Sequence, residues 1–190
     1  MSMKKVFLDE NTLIEDSFRL GVQIFEQGYR PTFIVGLWRG GSAVGIYVQE
    51  CLQTLGVETD HISIRTSYRG LPSYESMLAE PENIRIHGTQ YLIENLNEED
   101  SLLIVDDVYS SGHSIDATIQ RLKRQLKRNF PKEVKIATLF NRPSYQRTTI
   151  KPDFCLHETE DWLVFPYELK GLTDEEIQKH KHYVAELIYT

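Results

Sequence analysis

Between positions 101 and 115 the chain reads SLLIVDDVYSSGHSI, and the residue types in that stretch divide three ways. SLLIV is apolar and fit for a buried strand. Asp106 and Asp107 are adjacent carboxylates, and Ser110, Ser111, Gly112, His113 and Ser114 form a hydroxyl-rich turn ahead of a helical pattern. At a helix start the first N–H groups lack partners within the helix and the dipole favours negative charge, so such a turn suits a phosphate. Acids beside a phosphate are unfavourable unless they contact something else; sugar hydroxyls or a divalent cation would serve. A phosphorylated sugar satisfies both halves, while the competing reading is two strand-end acids that only help to cap the helix. Four further stretches carry groups suited to binding: WRGG at 38–41, SYRG at 67–70, NRP at 141–143 and DWLVFPYEL at 161–169.

The elements that must position these groups follow from periodicity. Apolar residues recur at helical spacing over 11–27, 42–56 and 114–130, and a final helix is expected near 173–188. Short apolar or β-branched runs at 31–37, 61–67, 101–106 and 134–140 read as strands, and 154–158 and 162–169 as shorter extended segments. Strands alternating with helices imply crossover units, hence an α/β fold with a mainly parallel twisted sheet and helices on both faces. In such a sheet ligands bind beyond the carboxyl ends of the strands. Residues 1–190 are expected to form a single domain, with a small hood subdomain formed mainly by 141–172. The aperiodic, glycine- and proline-containing stretch 67–88 is expected to be a mobile lid.

Bulk properties narrow the function classes. The 190 residues are 41% hydrophobic and 26% charged, a globular composition. A formal charge of −7 repels any polyanion on average, so nucleic-acid binding is not expected. The basic run RLKRQLKR at 121–128 reads as a solvated helix face meeting acidic neighbours. Cys51 and Cys155 have no metal-ligand spacing and form no disulfide framework; a reduced, cytoplasmic protein without a membrane span is expected.

The 101–115 stretch resembles the phosphoribosyl pyrophosphate signature of the phosphoribosyltransferase family, in particular its hypoxanthine and xanthine-guanine branch. That resemblance spans roughly residues 31–169. It implies that Ser110 to Ser114 hold the 5′-phosphate while Asp106 and Asp107 hold the ribose hydroxyls and, with water, Mg2+. By the same carry-over Trp38, Arg39 and Gly40 bind pyrophosphate, with the Trp38–Arg39 bond as a non-proline cis peptide, and Ser67 and Tyr68 cap it when the lid closes. Arg142 would read a purine 6-oxo group, Trp162 would stack on the ring, Leu163 would offer main-chain contacts and Glu168 would approach a 2-amino group; core packing remains the rival fate of Trp162. The resemblance also implies phosphoribosyl pyrophosphate and a purine base as partners, and assembly as a homodimer or homotetramer.

Ser110 departs from the pattern, because many oxopurine enzymes of the family carry an aspartate there as a base for the purine. An unperturbed serine hydroxyl hardly ionises near neutral pH. Glu168 or water could assist, the base could arrive deprotonated, or the preferred base could differ. Ser110 therefore joins the aspartate pair as a catalytic candidate, and a non-catalytic sensor with the same cradle is the alternative to an enzyme.

Overall fold

The computed structural model describes residues 5–68 and 84–189, which fall into two compact units, one of residues 16–160 and one joining 1–15 to 161–190. The larger unit holds a six-stranded sheet in the order β4-β3-β2-β5-β6-β7, with β2 Phe33–Trp38, β3 Asp60–Tyr68, β4 Ile84–His87, β5 Ser101–Tyr109, β6 Glu133–Asn141 and β7 Phe154–Glu158. All neighbours run parallel except β4, which pairs antiparallel with β3. Its edge position was not expected, and it lies where the lid was placed; of that lid, residues 69–83 lie outside the described residues.

Alternation along the strands builds the two faces. Leu102 and Ile104 of β5 join Val35 and Leu37 of β2 in one buried cluster with Ile115, Ile119 and Leu122 of α4, His113–Leu126. The intervening residues Leu103 and Val105 point to the opposite face, where α2, Gly40–Thr54, packs on β2 and β5. The helix α1, Glu10–Glu26, runs alongside α2, and Gly21 explains how: a Cβ there would come within 2.7 Å of Cys51 Cβ. A short α3, Gln90–Asn95, precedes β5.

The smaller unit pairs β1, Lys5–Phe7, in parallel with β8, Trp162–Val164, and adds α5, Asp174–His180, and α6, His182–Ile188. A single helix was expected over 173–188. The chain instead breaks at Lys181, which is 2% exposed and donates from Nζ to the Phe165 carbonyl at 2.6 Å and the Pro166 carbonyl at 3.0 Å. Burial lowers the pKa of that amine. The unit boundary also differs from the 141–172 hood: residues 141–160 belong with β6 and β7, whereas 161–172 belong with the N-terminal strand. Both cysteines are free, and no helix among the described residues is long and apolar enough to cross a membrane.

Candidate active site

Parallel register brings the chemistry-bearing segments to one end of the sheet. Gly36 of β2 pairs with Val105 of β5 in the last pair of their ladder, so the Trp38–Gly40 turn lies level with the aspartate pair on β5. The turn lies close to β5 because Gly41 has no side chain: a Cβ would overlap the Val105 carbonyl and come within 2.9 Å of Asp106 Cα. Gly36 has the same role one turn away, where a Cβ would meet the Gly41 carbonyl at 2.7 Å. The Trp38–Arg39 peptide is cis. Trp38 is 55% exposed, and Arg39 is exposed beside it.

β5 runs three residues further than expected, because its ladder to β6 continues through Val108 opposite Phe140 and Tyr109 opposite Asn141. The two acids are therefore part of the strand. Asp106 Oδ1 accepts the Asp107 N–H at 3.0 Å, and Asp107 Oδ1 accepts the Val108 N–H at 2.7 Å. Burial first, and the neighbouring Asp107 carboxylate second, push the Asp106 carboxyl well above the ordinary range, against backbone N–H bonds from Asp107 and Gly41 that pull it down.

The hydroxyl-rich turn closes over Asp106. A cavity of about 110 Å³ is lined by Asp106, Ser110, Ser111, Gly112 and Ser114, with Tyr109 forming part of its wall. Gly112 has φ +83° and sits immediately before α4, so it is the N-cap and has no side chain to offer the helix. A Cβ at Gly112 would overlap Tyr109 Oη and Thr148 Oγ1. His113 does not line this cavity; its N–H reaches Ser111 Oγ at 3.4 Å. Tyr109 and Thr148 were not anticipated. Tyr109 Oη donates to the Ile150 carbonyl at 2.6 Å and lies 3.0 Å from Thr148 Oγ1, fixing the segment behind the turn. The sequence signal was one large ring in a run of small residues.

Other expected residues are engaged elsewhere. Ser67 Oγ lies 2.8 Å from His87 Nε2 across the β3–β4 pair. Tyr68 ends β3, and its side chain lies outside the described residues. Arg142 is 4% exposed; its guanidinium stacks 3.8 Å from the Tyr145 ring centre and donates to the Glu160 carbonyl at 3.2 Å. In the smaller unit Trp162 and Leu163 are half-buried on β8, and Glu168 accepts the Phe165 N–H at 3.0 Å.

Residues 7–171 match the model of the phosphoribosyl transferase domain family. The chain belongs to the phosphoribosyltransferase family. Its sheet also matches solved structures, all at identities that establish the shared fold. A purine phosphoribosyltransferase from Pyrococcus horikoshii is 24% identical, covering 90% of this chain and 98% of that one, at a TM-score of 0.65. A hypothetical protein from Neisseria gonorrhoeae with bound ppGpp is 13% identical, with 98% of each chain covered and a TM-score of 0.72. The xanthine-guanine-hypoxanthine phosphoribosyltransferase of Helicobacter pylori is 18% identical, covering 93% of this chain and all of that one, at 0.64. No curated protein matches this phosphoribosyltransferase in sequence.

Proposed function

We propose that this phosphoribosyltransferase moves the 5-phosphoribosyl group of phosphoribosyl pyrophosphate onto an oxopurine, hypoxanthine, guanine or xanthine, in purine salvage. The bond from the anomeric carbon to pyrophosphate breaks, a bond to a purine ring nitrogen forms, and the proton of that nitrogen leaves to solvent. The observation that carries the reading is that Asp106 shares one cavity with the Ser110–Ser114 turn at the end of a parallel strand. The turn holds the 5′-phosphate against the start of α4, where oriented N–H groups and the helix dipole act together. Asp106 and Asp107 hold the ribose hydroxyls and so orient the anomeric carbon for in-line attack. Trp38, Arg39 and Gly40 receive the pyrophosphate, Arg39 supplying a charged fork of donors, and Ser67 and Tyr68 cover it.

Among the described residues no group of three or more metal-ligating side chains forms. Two adjacent carboxylates nevertheless suit Mg2+, which is commonly held by one or two carboxylates together with substrate phosphates. Asp106 and Asp107 would hold it through water, and it would neutralise charge on the departing pyrophosphate. Base recognition is assigned to Trp162 for stacking, Leu163 for main-chain contacts, Glu168 near the 2-position and Arg142 at the 6-oxo group. Because Arg142 and Glu168 already bond within their own units, either must share its donors or acceptors with the base. Ser110 supplies a hydroxyl to the cradle and no carboxylate to take the purine proton. Assembly as a homodimer or homotetramer in the cytoplasm belongs to the same proposal.

Steady-state release of pyrophosphate with a panel of nucleobases tests the reading: turnover is expected with an oxopurine and not with adenine or pyrimidines. Trp162→Ala is expected to raise KM for the base by roughly tenfold, the order of one stacking contact, with kcat less affected; an effect on melting temperature alone would return the ring to packing. A second reading, a non-catalytic nucleotide sensor, draws on the ppGpp held by the neisserial neighbour and on the missing carboxylate at Ser110. Tight phosphoribosyl pyrophosphate binding without turnover on any base would select it.

A further inference from the structure

A second concave site lies in the larger unit, between β4 and α4. Its volume is about 330 Å³, and Arg85 and His87 of β4 line it together with Ala117, Arg121 and Arg124 of α4. Positions 117, 121 and 124 follow the i, i+4, i+7 spacing of one helix face, so both α4 arginines rise on the same side. At 1.5 Å per residue Arg121 stands about 12 Å along the axis from the start of α4, well removed from the phosphate cradle.

The electrostatics of this site are unusual for a chain of net charge −7. Among the described residues no carboxylate lines it. Among the described residues Arg85, Arg121 and Arg124 form no hydrogen bond or ion pair, and Arg121 Nε is buried without a partner. Three like charges around one cavity repel one another, and a buried donor without an acceptor costs free energy. An anion with several oxygens removes both costs, and guanidinium forks match phosphate oxygens two at a time.

We propose that Arg85, Arg121 and Arg124, with His87, form a second anion site that takes a compact phosphate-bearing small molecule presenting a diphosphate group. The cavity volume is at the lower end of small-molecule sites. A concave site of this size with three charges at its walls suits a compact polyanion better than a nucleic-acid strand, which would also meet the acidic remainder of the surface. His87 links the pocket to β3 through its bond to Ser67. The proposal stands on the cavity and its arginines, and is independent of the reaction assigned above.

Inorganic pyrophosphate is the probe, titrated calorimetrically into the full chain, the Arg121→Gln/Arg124→Gln variant and the Arg85→Gln variant. One equivalent is expected to weaken by about tenfold or more in both variants, as charge-assisted contacts are lost, while any equivalent bound at the α4 start is unchanged. Thermal melts of each variant matching the parent exclude unfolding as the cause; if the double variant melts early, Arg85→Gln decides alone. Binding indistinguishable among all folded proteins overturns the proposal. So does variant-sensitive binding that appears only with a single-stranded oligonucleotide, which would make this a nucleic-acid face.

Discussion

Two helices of this protein begin in opposite ways, one at the proposed phosphate cradle and one at a terminus closed by its own side chains. α4 starts at Gly112, a left-handed residue with no side chain to cap the helix, and its first turn opens onto the cavity that Asp106 shares. α5 starts at Thr173, whose hydroxyl accepts the Glu176 N–H while Glu176 returns a bond to the Thr173 N–H, a reciprocal capping box. One terminus has no side-chain cap; the other is closed by its own side chains. α2, which follows the Trp38–Gly40 turn, also lacks a side-chain cap. Polar groups follow the same division. Asp106 sits partly buried beside a second carboxylate, whereas buried Lys181 in the smaller unit meets two carbonyls.

The strongest way to break the contrast is at the aspartates. Asp106→Asn with Asp107→Asn is expected to lower kcat/KM by about a thousandfold or more, the scale of losing preorganised electrostatic groups, with an unchanged circular dichroism spectrum. Wild-type rates in the double variant would remove the pair from the mechanism. The stability effect has the opposite sign. Asp106 has a folded pKa raised above its unfolded value, so its contribution to stability is present below the ordinary carboxylate range and is lost as pH rises through the folded value. Asp106→Asn alone should therefore melt higher than the parent at pH 7, with the gain fading toward pH 4. An equal or lower melting temperature at pH 7 would mean that the carboxylate is not destabilised by its setting.

Gly112→Ala tests the open terminus directly. The left-handed backbone there costs a side chain about 1–2 kcal/mol, and the new Cβ would also overlap Tyr109 Oη and Thr148 Oγ1. Both the melting temperature and phosphoribosyl pyrophosphate affinity should fall. A drop in stability with unchanged affinity would separate the turn from ligand binding. In the smaller unit Lys181→Met keeps the bulk and leaves the Phe165 and Pro166 carbonyls without their donor. The expected loss is about 1–3 kcal/mol, read by urea unfolding, with phosphoribosyl pyrophosphate KM unchanged.

The same contrast explains what could be read from the sequence. The cradle occupies one contiguous run, 106–114, where strand, acids, glycine and helix start are neighbours in the chain, so residue types alone pointed to a phosphate. The Trp38–Arg39 cis bond came with the family resemblance, and the crossover strands announced themselves as short β-branched runs. What escaped depends on distant partners. β1 is three residues long and pairs with β8 from the far end of the chain, so no local pattern marks it, whereas β8 lies in the 162–169 run that reads as extended. Lys181 sits inside a helical period, yet the helix breaks there and carbonyls at 165 and 166, distant in the chain, hold its amine. Arg142 was expected at a purine 6-oxo group, and its stack on Tyr145 depends on the 3₁₀ turn at Pro143–Tyr145 that follows.

The smallest effect is expected at Thr173. An N-cap threonine contributes about 1 kcal/mol over alanine, so Thr173→Ala should lower stability by that order and leave kcat and KM untouched. Its value lies in the pairing with Gly112. Both substitutions place alanine at the residue preceding a helix, yet one removes a cap that serves only the fold and the other drives a Cβ into Tyr109 and Thr148 behind the cradle. If Thr173→Ala altered phosphoribosyl pyrophosphate affinity as strongly as Gly112→Ala, the effect of Gly112 could not be assigned to the cradle, and general loosening of the chain would account for both. If only Gly112→Ala moves affinity, what distinguishes the binding terminus is that its first turn is left for the ligand to complete.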